Sequence, residues 1–75
     1  MGKRRTLLRV LRASQEPYVT QTKLARKAGL TRLRYWAIEN GEAVPTPDER
    51  NAVAAALGVK VSEIEWPLTY EALRA

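Results

Sequence analysis

A chain of 75 residues with a formal net charge of +5 has room for one domain with a small hydrophobic core. It contains no cysteine and no histidine, which excludes disulfides and Cys/His metal sites and leaves an enzyme only Lys, Tyr or carboxylate groups as bases. No grouping of those residues suggests catalysis, and no apolar run approaches the roughly 18 residues that a membrane span needs. We therefore expect no enzyme, no cofactor, no metal site and no membrane association.

Positive charge is concentrated in the first half of the chain. Residues 1–34 hold ten Lys or Arg against Glu16 alone (+9), whereas residues 35–75 hold three against seven acidic residues (−4). This asymmetry favours a polyanionic partner, although charge can also simply keep a small domain soluble. Residues 1–5 form a basic arm that either follows phosphates or is a disordered terminus.

The first predicted helix runs from about Thr6 to Ser14, with Leu7, Leu8 and Leu11 as its apolar stripe. Pro17 then forbids a continuous helix, so residues 15–19 are predicted to be a connection.

Residues 20–41 are predicted to form two short helices around a tight turn. Thr20 is a good N-cap for the first helix, Gly29 suits a left-handed residue at its end, and Thr31 can cap the second, at about 31–40. Asn40-Gly41 is a strong stop signal. Apolar residues recur at helical spacing in both helices: Leu24, Ala25, Ala28, Tyr35 and Ile38. Two helices joined in this way form a helix-turn-helix.

The second half contains a clear fourth helix. Thr46 and Glu49 have capping-box spacing, Pro47 suits the first helical position, and the helix is expected to end at Leu57 before Gly58. A short fifth helix is expected at about 61–65, followed by an apolar tail over 66–75.

The order and spacing of these signals resemble the phage-repressor and Cro-like (Xre-type) helix-turn-helix family over roughly residues 6–65. The resemblance is carried by Gln21, Leu24, Ala25, Gly29, Leu30, Ile38, Glu39, Asn40, Gly41, Pro45 and residues 53–59. It implies an all-α, compact five-helix lambda-repressor-like domain over 6–65, flanked by the arm over 1–5 and the tail over 66–75. The implied function is sequence-specific binding of double-stranded DNA by a cytoplasmic, nucleoid-associated transcriptional regulator, expected to be a repressor. No small-molecule ligand is expected.

The third predicted helix is the expected recognition helix, placed in the major groove. Turned through about 100° per residue, it places Tyr35, Ile38 and Thr31 on the core side. The expected base-reading residues are Arg32, Leu33, Trp36 and Ala37. An arginine can bond guanine O6 and N7, and small apolar groups can meet a thymine methyl. For Trp36, packing on the sugar-phosphate wall, in the core or against another protein all remain open.

Phosphate contacts are expected from a second set of residues: Gln21, Lys23, Lys27, Thr31 and Arg34. The role of Gln21 is implied by the resemblance, which also implies an ion pair between Arg12 and Glu39 that ties the first helix to the end of the recognition helix. Arg50 stands where the family prefers an apolar residue, so its stem is expected to be covered and its head to reach water.

One recognition helix covers only a few base pairs, so a homodimer on a palindromic site is expected. Its expected interface residues are Ile64, Trp66, Leu68, Tyr70 and Leu73. The tail could instead complete its own monomer core. The apolar face around Leu33 and Trp36 keeps a second function open, a protein-binding module on the same fold, such as an antitoxin-like or accessory subunit.

Overall fold

The computed structural model of the chain describes residues 5–67. In chain order its elements are β1 (Thr6–Leu7), α1 (Leu8–Ala13), α2 (Gln21–Lys27), α3 (Arg32–Glu39), α4 (Pro47–Leu57), one 3-10 turn (Val61–Glu63) and β2 (Ile64–Glu65). Over these residues the fold is mostly helical, with four α-helices and one small strand pair. None of the helices in this range combines the length and apolar character needed to cross a membrane.

The turn between α2 and α3 has the local geometry that the sequence predicts. Gly29 has a φ of +74°, a conformation that costs a residue with a Cβ extra energy. The N–H of Leu30 then donates to the carbonyl of Ala25 at 2.8 Å, which closes the end of α2. The hydroxyl of Thr31 accepts from the N–H of Arg34 at 3.1 Å and caps α3. Capping directs the Thr31 side chain into solvent, so its predicted place on the core side is wrong.

The predicted cap of α4 is confirmed in both of its bonds. Thr46 Oγ1 accepts from the N–H of Glu49 at 3.1 Å, and Glu49 Oε1 accepts from the N–H of Thr46 at 2.8 Å. Pro47 opens the helix, and Gly58 ends it at a φ of +74°. These local signals determine where α4 begins and ends.

Helices α2, α3 and α4 pack around one core, which α1 and β2 close from the side. Tyr35 is the largest side chain in this core and is completely buried. Among residues 5–67, nine buried apolar side chains form this core: Leu8, Leu24, Ala25, Tyr35, Ile38, Val53, Ala54, Leu57 and Ile64.

The two ends of the described chain differ from the predicted fold. Thr6 and Leu7 lie in a parallel strand pair with Ile64 and Glu65, not in a helix. The predicted fifth helix is reduced to the 3-10 turn, so the prediction of an all-α, five-helix domain is wrong in these two respects. Parallel pairing supplies hydrogen-bond partners to the backbone N–H and C=O groups of residues 6–7 and 64–65. Two short helical segments at these positions would leave such groups without partners from each other.

The strand pair also corrects the predicted dimer interface. Ile64 is 1% exposed and belongs to the core, so it cannot be an interface anchor. Trp66 is half-buried against the core, with the guanidinium carbon of Arg50 5.9 Å from its ring centroid. The Nε atom of Arg50 is buried, so the expectation that the whole guanidinium group of Arg50 reaches water is wrong. The other predicted interface residues, Leu68, Tyr70 and Leu73, and arm residues 1–4 lie outside the described residues.

Candidate nucleic-acid interface

The solvent face of α3 combines one arginine with apolar side chains. Arg32 and Leu33 lie in the first turn, where Leu33 is 71% exposed, and Trp36 one turn later is 42% exposed. This exposure removes the possibility that Trp36 fills the core. Ala37 is half-buried, because the following loop folds back and the N–H of Glu42 donates to its carbonyl at 2.7 Å. The structure therefore brings the four predicted base-reading residues onto one helix, with Ala37 the least accessible of them.

This face carries groups that can form hydrogen bonds and apolar contacts with base edges. A guanidinium at the beginning of α3 can form the two parallel hydrogen bonds that guanine accepts, and Leu33 can contact a thymine methyl. Both lie in the first turn, which is the end of the helix that helix-turn-helix domains direct towards base edges.

Helix α2 adds a row of cations. Lys23, Arg26 and Lys27 stand at i, i+3 and i+4, so they share one face, and all three are exposed. The ion pairs among residues 5–67 involve other arginines, so these three charges are available to an external anion. Thr20 caps this helix by accepting from the N–H of Lys23 at 3.1 Å.

A buried polar network holds the end of α3. Arg12 Nε donates to Glu39 Oε1 at 2.7 Å, and Arg12 Nη2 lies 3.4 Å from Glu39 Oε2. The Tyr35 hydroxyl donates to the same Oε1 at 3.0 Å, and the Gln21 amide donates to Oε2. Because the Glu39 side chain is only 2% exposed, these donors replace the water it would otherwise bind. The structure thus brings together Arg12 and Glu39, the pair that the resemblance implies.

Arg12 also holds the connection between α1 and α2. Its Nη1 donates to the Tyr18 hydroxyl at 3.2 Å and to the Val19 carbonyl at 3.0 Å. The guanidinium carbon lies 5.9 Å from the centroid of the Tyr18 ring. One side chain therefore joins α1, the 15–19 connection and the carboxylate at the end of α3.

The protonation states of this network follow from its partners. Burial alone would raise the pKa of Glu39, but hydrogen bonds from Arg12 and Gln21 outweigh it and hold the pKa below its ordinary value. Burial, reinforced by the negative charge of Glu39, raises the pKa of the Tyr35 hydroxyl well above its usual range. Glu39 is therefore an anion and Tyr35 a neutral donor over the physiological pH range.

Gln21 has an internal partner that the sequence does not reveal. Its side chain is half-buried, and its amide is directed towards Glu39. A phosphate contact by this amide would have to share or replace that bond.

Arg34, expected on a phosphate, has a different position in the structure. Its Nε donates to Glu49 Oε2 at 2.7 Å, and its Nη2 donates to Glu49 Oε1 at 2.8 Å and to the Val44 carbonyl at 3.1 Å. The hydrogen bonds from Arg34 lower the pKa of Glu49 to about 2. Since Glu49 also completes the cap of α4, Arg34 orients α3 relative to α4, and its guanidinium is already paired with a carboxylate although the side chain is partly exposed.

Comparison with known families agrees with this geometry. A family model described as a helix-turn-helix domain matches residues 5–66, which is most of the chain. The chain belongs to this helix-turn-helix domain family. Searches of curated proteins and of solved structures found no match. As a helix-turn-helix domain the protein belongs to a family that binds DNA, which α2 and α3 fit.

Two residues of the site, Tyr18 and Arg26, are missing from the sequence-based prediction, and only one of them is marked by a local pattern. Tyr18 follows a proline in a connection whose path no local pattern specifies, so its contact with Arg12 could not be foreseen. Arg26 could have been found, because it lies three residues after Lys23 on the same helix face. Within residues 5–67 no group of acidic side chains is arranged to hold a metal ion.

Proposed function

We propose that this helix-turn-helix domain is a sequence-specific regulator of transcription of the phage-repressor and Cro-like type. In this proposal α3 lies in the major groove, Arg32 and Leu33 read bases, and Lys23 and Lys27 contact phosphates. The observation that supports this proposal most strongly is the exposed first turn of α3 beside an exposed basic face of α2. The buried Glu39 network supports the proposal because it fixes the orientation of α3 before DNA arrives.

The proposal is tested by selecting bound sites from a pool of random duplexes. We expect an enriched sequence containing a guanine that Arg32 can read, repeated as two half-sites about one helical turn apart. A folded protein that enriches no sequence would contradict specific reading of DNA.

A homodimer that acts as a repressor is the form we propose for the complex. Two copies on a two-fold axis would read both half-sites, and occupancy of such a site would block other proteins from it. Because Trp66 packs on the core, the interface is proposed to begin after Pro67. Truncation after Pro67 should give a folded monomer in sedimentation, with weak affinity for the palindrome. A truncated chain that remains dimeric would place the interface elsewhere.

A second candidate function is favoured by one observation, the exposed apolar side chains of Leu33, Trp36 and Val44. Such a patch suits a protein partner, as in an antitoxin-like or accessory subunit. Leu33→Ser separates the two functions, since it should shift base preference in the selection if α3 reads DNA. A variant with unchanged DNA preference would favour the protein-binding function.

A further inference from the structure

A cavity of about 410 Å³ lies between the 15–19 connection and the exposed face of α2. Its volume lies in the range of pockets that take small ligands. Two chemically different walls line it. One consists of Pro17, Tyr18 and Val19, and the other of Lys23, Arg26 and Lys27.

The α2 wall selects an anion. The lining contains three cations and one carboxylate, that of Glu16, so it carries two positive charges in excess. None of the three forms an ion pair with an acidic residue among residues 5–67. An arginine flanked by two lysines is a suitable partner for a phosphate carrying about two negative charges.

The wall formed by Pro17, Tyr18 and Val19 is suited to a flat ring. The side chain of Tyr18 is 58% exposed and stands beside Pro17 and Val19, so an aromatic surface is available to a planar group. A ligand with a phosphate at one end and a ring at the other would contact both walls.

The wall that contains Tyr18 and Val19 is held in place without a ligand. Arg12 donates both to the Tyr18 hydroxyl and to the Val19 carbonyl, and its own position is fixed by the buried Glu39. A wall fixed in advance loses little conformational freedom on binding. The cavity depends on the path of the 15–19 connection, which is why the sequence alone leads one to expect no small ligand.

We propose that this cavity binds one nucleotide unit, with its phosphate against Lys23, Arg26 and Lys27 and its base against Tyr18. The same chemistry has two sources, a free nucleotide or an unpaired nucleotide in a single-stranded DNA overhang beside the recognised site, because only an unpaired base has a face free to meet Tyr18.

The first experiment titrates the full chain with adenosine diphosphate and, separately, with inorganic pyrophosphate, followed by the backbone amide NMR signals. We expect shifts confined to residues 15–19 and 23–27, and a tighter dissociation constant for the nucleotide than for pyrophosphate. Arg26→Ala should weaken nucleotide binding by about fivefold or more, a change of roughly 1 kcal/mol. Arg9→Ala, which removes an exposed arginine from another helix, should leave it unchanged.

The second experiment tests whether the nucleotide comes from a DNA strand. Unlike the first experiment, it rests on the proposed DNA binding. Arg26→Ala is compared with the natural chain on a duplex that ends at the selected site and on the same duplex extended by a single-stranded overhang at each end. If the strand is the source, the variant loses affinity only for the extended duplex. If the proposed DNA binding itself is wrong, the natural chain will also fail to bind both duplexes. That outcome differs from a failure of the nucleotide site, in which the natural chain and the variant bind both duplexes equally well.

Localised nucleotide binding that Arg26→Ala weakens supports the free source, and a loss confined to the extended duplex supports the strand. The absence of both effects, with nucleotide tested to about 10 mM, would overturn the proposal. The proposal would equally be overturned if the nucleotide bound no more tightly than pyrophosphate and Arg26→Ala showed no loss confined to the extended duplex.

Discussion

Replacing Glu39 by glutamine tests whether the buried network fixes the recognition helix. Glu39 is 2% exposed in its side chain and accepts from Arg12, Gln21 and Tyr35. The variant Glu39→Gln keeps the volume but removes the charge opposite Arg12, whose side chain is 9% exposed. Leaving one member of a buried pair without its counter-charge costs about 3–5 kcal/mol. Taking about 3 kcal/mol, the melting temperature should fall by about 12–24 °C.

The contact itself is isolated by a double-mutant cycle measured by urea unfolding. Arg12→Met alone should cost at least about 3 kcal/mol, because it removes the bond to Glu39 and also those to Tyr18 and Val19. Once Glu39 is glutamine, the same change should cost clearly less, since only the bonds to Tyr18 and Val19 remain to be lost. The matched controls are Arg9→Met and Glu42→Gln, which change the same residue types at exposed positions and should each cost less than about 0.5 kcal/mol. Additivity of the Arg12 and Glu39 variants to within about 0.5 kcal/mol would refute the reasoning.

Further predictions concern the same supports of α3. Tyr35→Phe should lower stability by about 1.5–3 kcal/mol in urea unfolding, because it removes a buried donor to a carboxylate, and no loss would place the hydroxyl outside the network. The folded-state pKa values of Glu39 and Glu49 lie below the ordinary 4.5, so their contribution to stability is complete above pH 4.5 and declines as the pH falls below it. The contribution of Glu49, whose pKa is about 2, is lost as the pH falls through that value. The urea midpoint should therefore decline over that range, and less steeply in Glu49→Gln, whereas an equal decline would contradict the assignment. In salt titrations of DNA binding, Lys23→Ala should reduce the slope by about one and Arg34→Ala should leave it unchanged, and a reduced slope for Arg34→Ala would restore Arg34 as a phosphate ligand.

Features that depend on neighbouring residues could be predicted from the sequence. Thr31, Gly29 and the pair of Thr46 and Glu49 each act within about one helical turn, so their residue types suffice to place helix ends. The same holds for the exposure of Arg32 and Leu33, which follows from turning α3 until Tyr35 faces the core.

Features that depend on distant residues could not be predicted in this way. Arg34 meets a carboxylate 15 positions away, and Gln21 meets one 18 positions away, so neither partner is marked by local spacing. The strand pair is a stronger case, because Thr6 and Ile64 read locally as parts of short helices and become strands only when the fold brings them together. The sequence places Tyr35 on the core side of α3, but only the folded position of Glu39 shows why its hydroxyl can be buried.

The most direct test of DNA reading by α3 is the affinity of the natural chain and of Arg32→Ala for the selected duplex and a shuffled one, measured by fluorescence anisotropy across a range of salt. The natural chain should bind with a log–log salt slope near −5, as expected if a dimer neutralises roughly six phosphates. Arg32→Ala should lose about 1–3 kcal/mol on the selected duplex and little on the shuffled one. Equal loss on both duplexes, or no binding by the folded chain at about 50 mM salt, would contradict the account.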